Sequence, residues 1–401
     1  MTQFDPRKAA PPATPVPIGE LVGLRFLIVG AGFYGAVMAE RIASVLGEKV
    51  LVIDVRNHAG GNSFSHTDTR TNIEIHAYGS HIFHTSSEPV WNYVSSFGKF
   101  NSYIHKVYTV HRGTVYPMPI NLHTINQFYG KSFRPGEARE FIQEEVRHSL
   151  AEGPDNLERK AISLMGRRLY EALVKGYTEK QWGRSPAELP AGIISRLPVR
   201  FSYNDRYYSD RFEGQPVDGY GALFGRMLAH RNISLRLGVD FFEIRELIPA
   251  DCRVVYSGPI DRFFDYRLGV LGWRTIDLKW RSEPTDSFQG TSVMNYADRE
   301  VPYTRIHEFK HYHPERTYPL HETIICEEYP RAAGRDDDPC YPVDAEADKR
   351  LLSMYKNLAR VVPNTIFGGR LGNYCYIDMH QAVAMALNDF VRLKATLDGS
   401  P

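Results

Sequence analysis

The chain reads as an α/β protein in which a mostly parallel, nucleotide-binding domain carries a helical insertion and a largely antiparallel sheet. Three observations predict this. The stretch Leu24 to Asn62 runs strand, glycine turn, helix, strand, acid and second glycine pair. Helical periodicity then extends from Asn121 to about Trp182, and polar and aromatic residues alternate in short runs from Arg267 to about Tyr329.

Leu24 to Val29 is a short apolar run suited to a buried parallel strand. Gly30, Gly32 and Gly35 follow in the spacing G-x-G-x-x-G. Gly30 permits the sharp turn, Gly32 lets the backbone approach a pyrophosphate, and Gly35 lets the helix pack closely on the strand. The phosphate then meets the N–H groups and positive end of that helix. Ala36, Val37, Ala39, Ile42 and Leu46 supply its packing face, and Gly47 its cap. Lys49 to Ile53 makes the second strand. Asp54, 19 residues after Gly35, stands where an acid meets a ribose hydroxyl. Glycines also serve ordinary turns, so the register of strand, helix, strand and acid carries the assignment. Gly60 and Gly61, six and seven residues after the acid, let the chain run close to an extended ligand. The combination resembles the FAD-binding domain of the glutathione-reductase and amine-oxidase type of flavoprotein, with Asp54 where that pattern more often carries Glu.

With 401 residues the chain can build two or three domains with substantial cores. Lys plus Arg is 48 and Asp plus Glu is 47, so no global field argues for a nucleic-acid partner, and an anionic ligand must be met by local arginines. Cys252, Cys326, Cys340 and Cys375 show no C-x-x-C spacing, which fits packing residues in a reducing, cytoplasmic setting and argues against a zinc site. Met1 to Pro17 is proline-rich and reads as a disordered leader, not a signal peptide. No apolar run approaches the ~18 residues of a membrane span. The 24 Tyr and 21 Phe point to a large lined cleft as well as a core.

Thr71 to His84 is strand-like, and His81 and His84 are either polar caps of a strand end or, so soon after the glycine unit, functional. Ser87 to Phe97 predicts a helix and Ser102 to Pro119 a hairpin turning at Arg112-Gly113. Helical periodicity holds through Arg139 to Ala151 and Ile162 to Tyr177. Gly183 to Pro198, with three prolines, two glycines and two arginines, reads as a mobile loop. Ala222 to His230 is a helix, strands follow through Tyr256, and Ser257 to Asp265 leads back out of the nucleotide domain. Asp344 to Val361 is a helix and Asn364 to Gly369 a final apolar strand. Asp378 caps the helix Met379 to Leu393, expected to point its N-terminus at the flavin ring. The domains expected are 20–100, 213–262 and 362–401 for FAD, 120–200 for the helical bundle with its loop near 183–198, and 101–119 and 263–361 for the sheet.

The segments KGYTEKQWG, ISRLPVRFSYNDRYY, MNYADREVPYTRIHE, YPV and GGRLGNYCYIDM, with GSHIFHT and PINLHTINQF, are similar to the successive signature segments of bacterial UDP-galactopyranose mutases over almost the whole chain. Departures are small: Ser80 stands where that family more often has proline, and Cys340 and Cys375 replace more typical residues beside motif tyrosines. The resemblance implies a FAD-binding Rossmann-type domain with an inserted helical bundle and a twisted antiparallel β-sheet domain. It implies interconversion of UDP-galactopyranose and UDP-galactofuranose without net redox change, by attack of reduced flavin N5 on the anomeric carbon. NADPH or NADH is the expected reductant, a homodimer the expected assembly, and neither a metal nor a membrane is needed.

By motif position, Tyr177 stacks on uracil with Thr178 and Trp182 beside it. Arg196 and Arg305 serve the diphosphate, where a guanidinium fork donates two bonds and keeps its charge. Tyr207, Tyr341 and Tyr376 reach the phosphates, Asn295 lies near the substrate, and Asp378 sits at the sugar and flavin end. The cofactor set implied is Gly30, Gly32, Phe33, Gly35, Asp54, Gly61, Asn62, His81, Arg370, Asp378 and Met379, with His81 against the flavin. Without the resemblance, Tyr177 and Trp182 read equally well as packing at a helix end. Two rivals use the same nucleotide domain: a FAD-dependent oxidoreductase of the amine-oxidase type, which wants an apolar substrate lining, and a non-catalytic FAD-binding protein.

Overall fold

In the computed structural model the residues described are 7, 16–148 and 155–399. The expected leader Met1 to Pro17 therefore lies almost wholly outside them. The chain divides into two units. Of the described residues, one unit comprises 7, 16–102, Asp210–Gly272 and 346–399; the other comprises Tyr103–Ser209 and Trp273–Ala345.

The first unit is built on a five-stranded parallel sheet in the order Thr365–Phe367, Arg253–Tyr256, Phe26–Val29, Val50–Asp54, Ile233–Leu237. Every residue of Phe26–Val29 and Val50–Asp54 is buried, as expected for strands covered on both faces. The helices Phe33–Val45 and Met379–Leu397 share one apolar core, in which Ala36, Val37 and Ile42 meet Val383, Ala386 and Phe390. After Phe26–Val29 the chain leaves to one side, and Arg253–Tyr256 later fills the other. That makes the end of this strand the switch point at which open α/β sheets bind ligands. The helix Glu346–Ala359, which the sequence reading puts with the sheet domain, is bonded within this unit: Asp348 accepts from the Gly272 N–H and Tyr355 Oη from the Leu268 N–H. The helix expected over Ala222 to His230 spans Gly219–Met227.

The second unit holds a seven-stranded sheet in the order Tyr341–Pro342, Trp273–Glu283, Thr323–Ala332, Arg305–Glu308, Val293–Tyr296, Val107–His111, Thr114–Met118. It is antiparallel except where Val293–Tyr296 runs parallel to Val107–His111. Short strands were expected throughout, yet Trp273–Glu283 and Thr323–Ala332 pair continuously from Arg274↔Ala332 to Glu283↔Thr323. Asp277, Lys279 and Arg281 are the outward members of a period-two pattern whose inward members are Ile276, Leu278 and Trp280. The hairpin Val107–His111 to Thr114–Met118 turns at Arg112-Gly113, both at positive φ as a two-residue turn requires.

The helical part of this unit is more broken than its periodicity suggests. Leu122–Tyr129, capped by Asn121, is followed by Pro135–Arg147, Leu157–Met165 and a kink at Gly166, where φ is +77°. A π-helical turn, Glu171–Lys175, then feeds Gly176–Trp182. The proline-rich segment after it folds into two 3₁₀ turns, Pro186–Glu188 and Ala191–Arg196. It is held at two apolar points, buried Leu189 and Ile194, and by the Leu157 N–H to the Leu189 carbonyl at 2.9 Å.

Candidate active site

In the first unit the site grows from the glycine turn. A Cβ on Gly35 would lie 1.9 Å from the Gly30 carbonyl oxygen, so only glycine allows this helix to start so close to the strand. No side chain caps that helix at Gly32, which leaves its first N–H groups for a ligand. The second glycine pair lies against the first. The Gly60 N–H donates to the Ala31 carbonyl at 2.8 Å, and Gly61, at φ +55°, would bring a Cβ 3.3 Å from the Gly32 Cα. Asp54 braces the turn: its carboxylate accepts from the Ala31 N–H at 2.7 Å and the Arg56 N–H at 2.9 Å. Asn62 Oδ1 accepts from Arg56 at 2.8 Å, and the Arg56 guanidinium lies 4.2 Å from the centre of the Tyr78 ring. Arg56 and Tyr78 were not singled out from the sequence; the arginine two residues past the acid was the available signal.

The same unit carries His81, half-buried, with Nδ1 2.9 Å from the Gly79 carbonyl and its own carbonyl accepting from Gln215 at 2.9 Å. Asp378 begins the helix Met379–Leu397, its N–H donating to Gln381 Oε1 at 2.8 Å. The neighbour brought to Asp378 is His84, whose Nε2 lies 4.0 Å from the carboxylate. His84 Nδ1 is 2.6 Å from Asp210, which burial would raise but Ser86 and His84 hold below the usual carboxylate range. His380 completes the group, so that ligand atoms of His84, Asp378 and His380 lie within 4.8 Å of one another, where no such cluster was expected. Arg370 donates to the Ile377 carbonyl at 2.7 Å and lies over the exposed Tyr376 ring.

The second unit holds the aromatic and arginine part. Tyr177 projects from Gly176–Trp182, and its hydroxyl accepts from Arg305. Arg305 Nε lies 2.8 Å from buried Glu328 Oε2, whose other oxygen is 3.2 Å from His307 Nε2. Burial works against the Arg305 charge, yet Glu328 first, then Tyr177, Tyr341 and Tyr207, hold it well above its ordinary range. Burial likewise pushes the Tyr177 hydroxyl up to about 12, opposed by Arg305. Asn295 sits opposite Arg305 in the sheet, and its Oδ1 is buried without a partner. Tyr207 rests edge-on against His105, 5.4 Å between ring centres. Thr178 is turned into its own helix, its hydroxyl donating to the Val174 carbonyl at 2.8 Å. Trp182 ends that helix, half-buried. The side chain of Arg196 lies outside the described residues.

Two known families align with these parts. Residues 28–97 match the NAD(P)-binding Rossmann-like domain, and residues 172–376 match the UDP-galactopyranose mutase family, from the Tyr177 helix through Arg370. A Klebsiella pneumoniae protein named "Probable UDP-galactopyranose mutase" is 44% identical over 90% of this chain and 92% of its own. This chain belongs to the UDP-galactopyranose mutase family. Another relative, the dTDP-fucopyranose mutase of Escherichia coli, is 39% identical over 90% of this chain and 96% of its own. A solved structure of reduced UDP-galactopyranose mutase shares the fold, with a TM-score of 0.69 at 13% identity over 93% of this chain and 94% of that one. The family is one of isomerases, and this member carries its Rossmann-like sheet together with a predominantly antiparallel one. Among the described residues no helix is long and apolar enough to cross a membrane.

Proposed function

We propose that this protein interconverts UDP-galactopyranose and UDP-galactofuranose, with FAD held at the glycine turn and used in its reduced state. The observation that carries the reading is the half-buried Arg305, kept charged by buried Glu328 and joined to the Tyr177 hydroxyl. A cation of this kind beside an aromatic face suits a nucleoside diphosphate, and it is a poor lining for a small amine or a lipid. The glycine cradle fits an extended dinucleotide, because uncapped helix N–H groups and bare backbone at Gly32 and Gly61 leave room for a pyrophosphate.

Tyr177 would stack on the uracil, with Trp182 at the far end of the same helix. Arg305 and Arg196, with the hydroxyls of Tyr207, Tyr341 and Tyr376, would hold the diphosphate and stabilise it as it departs from the sugar. Asn295 and Asp378 would orient the sugar so that its anomeric carbon and 4-hydroxyl are presented in turn. Gly30, Gly32, Phe33, Gly35, Gly61 and Asn62 would hold the cofactor with His81, Arg370 and Met379, Asp54 bonding a ribose hydroxyl. Reduced FAD bound there supplies a nucleophilic nitrogen that the side chains lack.

The test is product analysis after the dithionite-reduced protein, FAD bound, meets UDP-galactofuranose. UDP-galactopyranose should accumulate over many turnovers with no consumption of reductant, and the oxidised protein should be silent. Reductant consumed mole for mole would favour an oxidoreductase. Turnover of dTDP-fucofuranose in place of the UDP sugar would move the substrate assignment to the other relative.

A further inference from the structure

The Lys180 side chain does not enter the reading above, although its ammonium is held among several backbone carbonyls. Its ammonium lies within hydrogen-bond distance of four backbone carbonyl oxygens, which share its three N–H donors: Tyr296 at 2.8 Å, Asp298 at 2.8 Å, Val301 at 2.9 Å and Tyr303 at 3.0 Å. Tyr296 is the last residue of the strand Val293–Tyr296, and the other three lie in the turn that joins it to Arg305–Glu308. The turn is thus wrapped around a side chain of the helix Gly176–Trp182. The two backbones touch as well, since a Cβ on Gly176 would lie 2.4 Å from the Ala297 carbonyl oxygen. An ammonium can point its three N–H groups into a ring of carbonyls, whereas a planar guanidinium cannot.

We infer that Lys180 is a positioning residue, whose ammonium locks the 296–303 turn onto the helix that bears Tyr177 and so fixes Arg305 and Asn295 against that tyrosine. The inference rests on the reading that this face binds UDP. Tyr177 lies three residues before Lys180, and Asn295 and Arg305 are the residues that flank the turn in register. Slack in the turn therefore moves the guanidinium relative to the ring. Burial pushes the Lys180 ammonium down to about 8, with Asp298 and Glu300 on the turn raising it. The other charged groups around it are His111, 2.6 Å from Asp298, Arg299 paired with Glu179 at 3.7 Å, and Arg274, whose guanidinium donates to the Lys180 and Gln181 carbonyls. The charged form satisfies the carbonyls. Above about pH 8 the amine loses a donor, so UDP affinity held at lower pH is lost as pH rises.

The experiment compares UDP binding to the FAD-loaded wild type and Lys180→Met between pH 6.5 and 9.5, with hydrogen exchange of the 297–304 amides. The wild type should show an alkaline fall in affinity near pH 8. The variant should keep its FAD, bind UDP about tenfold or more weakly, lack that fall and exchange the turn amides faster. A FAD-loaded Lys180→Met that matches the wild type in UDP affinity and pH profile overturns the inference. If the variant does not fold, the wild type decides alone: turn amides equally protected at pH 7 and pH 9 overturn it, and loosening confined to the turn supports it. Should the wild type bind no UDP, the functional reading fails, and the same exchange comparison still judges the lock.

Discussion

Arg305 is where the energetics concentrate. Its fork faces Tyr177 while its Nε side is balanced by Glu328, a carboxylate buried with His307. Arg305→Ala should lower kcat about 10²–10³-fold, the usual effect of removing a donor to a charge that develops on a leaving group. FAD content should be unchanged, because the glycine turn belongs to the other unit; full activity would remove Arg305 from the mechanism. The same substitution takes the guanidinium away from the buried Glu328 carboxylate and leaves His307 beside it, at a cost of up to about 3 kcal/mol in unfolding free energy. Adding Glu328→Gln should recover part of that stability and none of the turnover, which separates the two roles by denaturation and kinetics. Local spacing made the glycines and Asp54 readable in the sequence, whereas the tyrosine and arginine positions came from the resemblance to a known family. Spacing could not reveal Glu328, which meets Arg305 only through strand register, nor the pairing of His84 with Asp210, 126 residues apart.

At the scale of elements, two structures carry testable weight. Asn121 is fully buried and caps Leu122–Tyr129, its Oδ1 accepting from the His123 N–H at 2.9 Å and the Thr124 N–H at 3.1 Å. Asn121→Ala should cost about 0.5–2 kcal/mol, read as a shift in urea midpoint. Gly35→Ala should be far harsher, because its Cβ would meet a backbone oxygen at 1.9 Å with nothing flexible to yield. The expected outcome is protein without yellow colour or no soluble protein, and normal flavin absorbance per chain would refute the close approach. The strand-turn-helix unit was legible because its period and glycines agree at every position. The long pair Trp273–Glu283 and Thr323–Ala332 was legible only as alternating short strands: its continuous length shows only through the partner strand. The helical stretch erred the other way, since periodicity is blind to a single positive-φ glycine such as Gly166.

For the whole molecule, the class of each layer could be read, but the order of strands could not, because neighbours in the sheets come from distant parts of the chain. Neither unit is a continuous segment; the polypeptide passes between them at 102/103, 209/210, 272/273 and 345/346. Deletion from Met379 onward should therefore abolish FAD binding and the solubility of the entire chain, not merely trim an end, because the helix it removes shares its core with Phe33–Val45. A truncated protein that stays soluble and yellow would contradict this. The discontinuity also sets a timetable for biosynthesis. Thr365–Phe367 borders the sheet that Phe26–Val29 begins, and it leaves the ribosome about 340 residues later, a delay of roughly 20–70 s at about 5–20 residues per second. For that interval the glycine turn has no finished sheet beneath it. The nascent chain must carry an unpaired strand edge through most of its own synthesis, so chaperone demand and aggregation during expression should track the rate of translation.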